Sequence, residues 1–244
     1  MKKLTRSFAL SLFATVAVSC AADPPQEMAP EPAAAPIVRV DGRSVQGQLL
    51  ISPAMPSFDI RVADGLSYVG RFDFEIIASS DEYPAELQGQ PIAAGERFVF
   101  VSADSDGAVE KLFIVQYEGF LPDNDFVFRY DFSNAERIGG HKFRQNTWIY
   151  DARKGAFDNP LSEGAKTLTF LDERGFSVEP HFMMSRFVGL ASEDRKNEII
   201  VFYQEMLNRA TGYTLDTLAA LPEYEVAQIE LALEQRARAS FAIE

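Results

Sequence analysis

The order of patterns along the chain predicts an α+β fold. An antiparallel, meander-like β-sheet over about residues 37–175 is packed by two C-terminal helices within 190–243. Three observations carry this: period-two alternation in two segments, two apolar runs joined by an Asp-Gly turn, and a change to helical spacing near residue 192. A β-sandwich with a peripheral helical hairpin is the alternative.

Residues 66–77 place Leu66, Tyr68, Phe72, Phe74 and Ile76 on one face, with Val69, Arg71, Asp73 and Glu75 on the other. Residues 126–132 alternate Phe126, Phe128, Tyr130 and Phe132 against Val127, Arg129 and Asp131. Both read as half-buried antiparallel strands. Arg97–Ala103 and Val109–Glu118 are apolar on both faces and meet through Asp104-Ser105-Asp106-Gly107. This predicts a hairpin that pairs Val99 and Val101 with residues 112–115, with Gly107 at positive φ. Further strands are expected over Lys142–Tyr150 and Lys166–Leu171.

Ser192, with Glu193 and Asp194 behind it, reads as a helix N-cap and acidic first turn. Ile199, Tyr203, Met206 and Ala210 follow at helical spacing, and Gly212 stops the run. A second helix starts at Pro222 and carries the stripe Val226, Ile229, Leu233 and Ala237, with Arg236 and Arg238 near its end.

Lys2, Lys3 and Arg6 precede the mostly apolar stretch Phe8–Val18, and Ala17-Val18-Ser19-Cys20 follows. A positive flank, a short apolar core and small residues make a secretory signal peptide over residues 1–19; a membrane span needs about 18 or more apolar residues. The AVSC ending, with Ala21 behind the chain's single cysteine, resembles the lipobox of bacterial lipoproteins, although that family usually has Leu where Ala17 stands. The resemblance implies acylation of Cys20, attachment to the membrane through those acyl chains, and, with Ala21 and not Asp next, the periplasmic face of the outer membrane. Cleavage without lipidation would instead give a secreted or periplasmic soluble protein. Residues 20–36 form the anchor and a linker, in which residues 21–36 hold five of the 13 prolines, leaving 37–244 as a single globular domain.

Without the leader's three positive residues the 23 basic residues become 20, against 36 acidic, a net of −16. An acidic chain lacks the basic face that nucleic acid or anionic lipid partners require. No cofactor fingerprint, GxSxG elbow or SxxK motif is present. Of the two histidines, His141 follows a Gly pair and stands alone. Glu179 and His181 point the same way in an extended stretch and come nearest to a metal site, but a loop histidine beside a solvated glutamate is the simpler reading. Asp104/Asp106 and Asp123/Asn124/Asp125 read as Asx-type turns, not calcium loops. The segment holding Glu118, Phe120, Leu121, Asp123 and Asp125 joins two strong strands through Gly, Pro and Asp, and is the binding loop the sequence suggests.

Three functions follow as expectations. The first is a lipid-anchored envelope protein with a non-enzymatic binding or scaffolding domain that takes another envelope protein as partner. The second is a lipid-anchored hydrolase using dispersed Asp, Glu or His. The third is a carrier of an apolar ligand. Converging ionisable groups with perturbed pKa values would favour the enzyme, and a large apolar cavity the carrier.

Overall fold

The computed structural model describes residues 42–79 and 83–244. The residues read as a signal peptide, lipidation site and linker, 1–36, lie outside them. The described residues form one compact unit.

Its described residues form an α+β fold, with two antiparallel sheets and five α-helices. The larger sheet has seven strands: β4 (Ser67–Ile77), β5 (Pro91–Ala103), β6 (Val109–Phe120), β7 (Glu136–Ile138), β8 (His141–Asp151), β9 (His181–Leu190) and β10 (Asn197–Met206). Their order is β4-β5-β6-β10-β9-β8-β7, so two meanders join where β6 pairs with β10. The smaller sheet is β1 (Ser44–Gln46), β2 (Leu49–Ile51), β3 (Ile60–Val62) and β11 (Phe241–Ile243), in the order β1-β2-β3-β11.

Each face of the large sheet has its own core. Phe98, Phe100, Phe113, Val115, Tyr117, Phe187, Ile199, Val201 and Tyr203 line the first face. The small sheet packs on them, with Phe241 5.9 Å from Phe113 and 5.3 Å from Phe187 between ring centroids. Beside it lies α5 (Glu223–Ala239), which begins after Pro222 as expected and buries Leu233 and Ala237, while Val226 and Ile229 are half-buried. Val99, Leu112, Ile114, Met184, Val188, Ile200 and Phe202 line the second face, under the short helix α1 (Ala152–Asp158) and under α2 (Glu163–Asp172).

The β5–β6 hairpin follows its sequence signal. Val99 pairs with Ile114, Val101 with Leu112, and Gly107 has φ 81°.

Four expectations are corrected. Residues 192–206 are not helical: Ser192–Lys196 is the turn between β9 and β10, and only Leu207–Thr211 (α3) forms a helix before Gly212, which takes φ 75°. A strand with core on both faces is apolar throughout, which local periodicity does not distinguish from a buried helix. The β-rich region therefore extends past residue 175 through β9 and β10. Residues 166–171 lie in α2, capped by Ser162 accepting from the Ala165 amide, and bury Thr167, Phe170 and Leu171 at helical spacing.

The third correction is Phe126–Phe132, which belongs to neither sheet. It is an extended strap across the second face, its alternation set by rings that pack downward and not by strand pairing. In the fourth, the stripe on β4 changes face. A bulge between Tyr68 and Gly70 leaves Tyr68 beside Phe100 on the first face and sends Phe72 to Phe170 on the second, at 5.2 and 5.0 Å. One extra residue inverts every side chain after it. Gly70, at φ 133°, gives Phe170 the space it occupies.

The helices α4 (Leu215–Ala219) and α3 complete the first face. Thr214 caps α4 in a reciprocal pair with Thr217.

Candidate functional site

A row of polar side chains crosses the second face. Register brings them together: Arg97 on β5 stands beside Gln116 on β6, and Glu118, two residues on and on the same face, stands opposite Glu198 on β10. Arg97 Nε donates to Gln116 Oε1, and Gln116 Nε2 donates to Glu118 Oε2. The Arg97 Nη1 group reaches Thr167 Oγ1 at 2.7 Å and the Glu163 carbonyl at 2.9 Å, tying the row to the first turn of α2. Gly95 leaves room for the Phe74 ring and the Glu118 side chain, since a Cβ there would lie 2.6 Å from the ring and 3.0 Å from Glu118 Cβ.

The two carboxyls are buried, Glu198 being only 2% exposed. Burial raises both pKa values, and the hydrogen bond between them together with the charge of Glu118 pushes Glu198 further, to about 10. Glu198 therefore holds the proton and donates it to Glu118. Read as a carboxylate, its Oε2 would have no partner. Burial lowers Arg97 to about 10, which leaves it a cation at neutral pH, so the row holds one cation, one anion and one neutral acid.

The strap closes over this end. The Tyr130 hydroxyl donates to Glu198 Oε1 at 3.5 Å, and burial beside the carboxyls raises its own pKa. Arg195 pins the strap through bonds to the Phe128 carbonyl (2.8 Å) and the Tyr130 carbonyl (3.0 Å), and Lys196 Nζ reaches the Asn124 carbonyl at 2.7 Å.

Toward β8 the same face stays polar. Asn146 stands opposite Arg186, whose guanidinium lies 5.3 Å from the Trp148 ring, and Gln204 stands opposite Met184. Asn146 Oδ1, Arg186 Nε and Gln204 Oε1 lack a bond to the protein. They are three of the six buried polar atoms among the described residues that meet no partner when every carboxyl is read as ionised. Buried polar atoms left unpaired cost about 1–3 kcal/mol each, so this concentration marks a place where stability is not the design criterion.

The suggested binding loop does not converge. Glu118 lies inside β6 and points into the second face. Phe120 ends that strand between the rings of Phe126 (5.7 Å) and Phe128 (4.6 Å), and Leu121 is buried. Asp123 and Asp125 are exposed. Glu179 accepts from the Asn208 amide at the start of α3, whereas His181 faces Asp151 at 3.4 Å. His141 stands at the far end of β8, its ring 4.3 Å from Phe58. Asp104 accepts from the Asp106 and Ala108 amides and pairs with Arg209 at 2.9 Å. No group of three His, Cys, Asp or Glu among the described residues is placed to hold a metal.

Arg97, Glu198, Tyr130, Arg186, Asn146 and Gln204 were not singled out by sequence. Their signal was present: polar residues at even spacing inside apolar runs, as in Gln116/Glu118 and Glu198/Gln204. An apolar cleft between α5 and β8–β9, lined by Ile149, Met183, Leu218, Val226 and Ile229, has a volume of about 10 Å³. That is room for one water, so it lends nothing to an apolar carrier. No family model, curated protein or solved structure matches this chain.

Proposed function

We propose that this protein is a lipid-anchored component of the bacterial cell envelope, on the periplasmic face of the outer membrane, whose domain binds another envelope component and does no chemistry on it. The observation that carries the binding role is the set of unpaired polar atoms around Arg186 and Trp148 on a face whose opposite side is apolar and packed. Asn146, Trp148 and Arg186 are partly exposed, so this end of the row is the side a partner approaches. A photo-crosslinking side chain at Asn146 in cells should give a defined adduct that Arg186→Ala abolishes. The same probe at Leu231, on the outside of α5, should not give it. Absence of an adduct at Asn146, or the same adduct from both positions, would reject the site. The anchor is tested separately, by the mass of the N-terminal peptide: diacyl or triacyl Cys20 supports it, and a free Ala22 terminus sinks it.

The hydrolase reading has one observation in its favour, two carboxyls on Glu118 and Glu198 driven to different protonation states. Their mutual hydrogen bond argues for the binding role instead. Carboxyl pairs that cleave glycosides stand about 5–9.5 Å apart, with the scissile bond or a water between them.

A further inference from the structure

We propose that the outer edge of β8 is a strand-addition site, which takes an extended segment of another envelope protein whose acidic residues alternate with apolar ones. β7 pairs with β8 only over residues 141–143, so from Arg144 onward this edge has no neighbouring strand among the described residues. The Ala152 amide donates to the Pro180 carbonyl, in register with the β8–β9 pairing. Bonding alternates along an antiparallel strand. The even-numbered residues of β8 therefore bond β9, and Gln145, Thr147 and Ile149 turn their amides and carbonyls outward. Among the described residues nothing bonds these outward groups. Such a row is a template for one more strand.

Charge selects the occupant. Every charged residue that β7, β8 and β9 turn to the second face is basic: Arg137, Lys142, Arg144 and Arg186. In a chain of net −13, no ion pair holds any of the four among the described residues. Asp131 on the strap lies in the field of Arg144, yet its carboxylate is bonded to Ser133. On the first face the same edge is apolar. Ile149 joins half-buried Val226 and Ile229 in lining the cleft beside α5, with Glu230 the one acid among the lining residues. An added strand therefore meets cations with one set of alternate side chains and apolar surface with the other.

The inference rests on the binding role proposed for the patch around Asn146 and Arg186, and names what that patch takes. A bare anion or an acidic glycan would answer the arginines but not the outward amides and carbonyls, which another extended backbone matches. β4, the edge strand at the other end of the sheet, mixes Arg71 with Asp73 and Glu75 and so selects neither sign of charge.

Trp148 is the chain's single tryptophan and stands on β8 between Thr147 and Ile149, so its fluorescence reports on this edge. A peptide of four Glu-Val repeats should change that fluorescence saturably, and salt should weaken the effect. Lys142→Glu with Arg144→Glu, both at exposed positions, should weaken binding about tenfold or more and leave the circular dichroism unchanged. The same peptide methylated on every backbone nitrogen keeps its side chains and loses its amide donors, so on the native chain it should give no response. No response to the Glu-Val peptide overturns the proposal. Equal binding of the methylated peptide overturns it too, because charge alone then holds the ligand, as does an equal response to oligogalacturonate. A change with protein concentration alone would put a second copy of this chain on the edge and reject the partner. An adduct from Asn146 without a peptide response keeps the patch and rejects the strand, whereas absence of the adduct rejects the patch itself.

Discussion

Glu118 and Glu198 stand directly opposite each other on β6 and β10, and their two carboxyls hold one proton between them. The pair lies in the middle of the strand order, where the two meanders meet, and near the ends of both strands. Like charges at this separation and burial do not both ionise. Arg97, two hydrogen bonds away through Gln116, balances the one charge that remains.

The pair makes stability fall as pH rises. An unfolded glutamate releases its proton near pH 4.5, whereas Glu198 keeps it to about 10 in the fold. Within that window the native state binds the extra proton, so ionisation of the unfolded chain draws the equilibrium away from it. Glu198→Gln keeps a donor toward Glu118 and does not titrate. It is expected to stabilise the protein on the order of 2–4 kcal/mol at pH 8, with the difference vanishing near pH 4. Thermal unfolding at several pH values checks this, and equal pH slopes for the two proteins would refute the shared proton.

Arg97 serves four groups at once, and its fork matters as much as its charge. Arg97→Met leaves Glu118 without its balancing cation and Gln116 Oε1 without a donor, an expected loss of about 3–5 kcal/mol. Arg97→Lys restores the charge but not the parallel reach to Gln116 and Thr167, so it should recover only a minor part. Urea midpoints of the two variants measure the split. Full recovery by lysine would mean that charge alone matters.

What the sequence made legible was local. The Asp106-Gly107 turn could be read because its cause is confined to a few residues: Gly107 needs φ 81°, and a Cβ there would lie 2.4 Å from the Gly175 carbonyl. Likewise α5 announced itself through Pro222, its early glutamates and its late arginines. The polar row was illegible because it is a product of register. Glu118 and Glu198 are 80 positions apart, and nothing near either one says that β6 will pair with β10. The segment of β10 reads as a helix for a related reason, since burial on both faces erases the alternation that identifies a strand. The bulge at Gly70 shows how small the decisive event can be, because one inserted residue sends Phe72 to the other core.

The helix–sheet contact on the first face gives a simpler expectation. Leu233 is wholly buried between α5 and the sheet, so Leu233→Ala should cost about 2–5 kcal/mol. Leu231, two residues away and turned outward, should tolerate Ala within about 0.5 kcal/mol. Chemical denaturation separates them. Similar losses at both positions would mean that the outer face of α5 is covered in solution.

Arg195 holds the strap at a conformational cost. Its φ of 61° lies in the left-handed region, which a residue with a Cβ adopts at about 1 kcal/mol or more. In exchange its side chain binds the Phe128 and Tyr130 carbonyls, the backbone on either side of the lid over Glu198. Arg195→Ala keeps the strain and loses both bonds, whereas Arg195→Gly loses the bonds and relieves the strain. Both should speed amide exchange across residues 121–135 relative to 197–206, and the Gly variant should be the more stable of the two by about 1 kcal/mol. Exchange followed by mass spectrometry, read beside the unfolding midpoints, separates pinning from strain. If residues 121–135 stay as protected in both variants as in the native chain, the ring contacts of Phe120, Phe128 and Tyr130 hold the strap, and Arg195 does not.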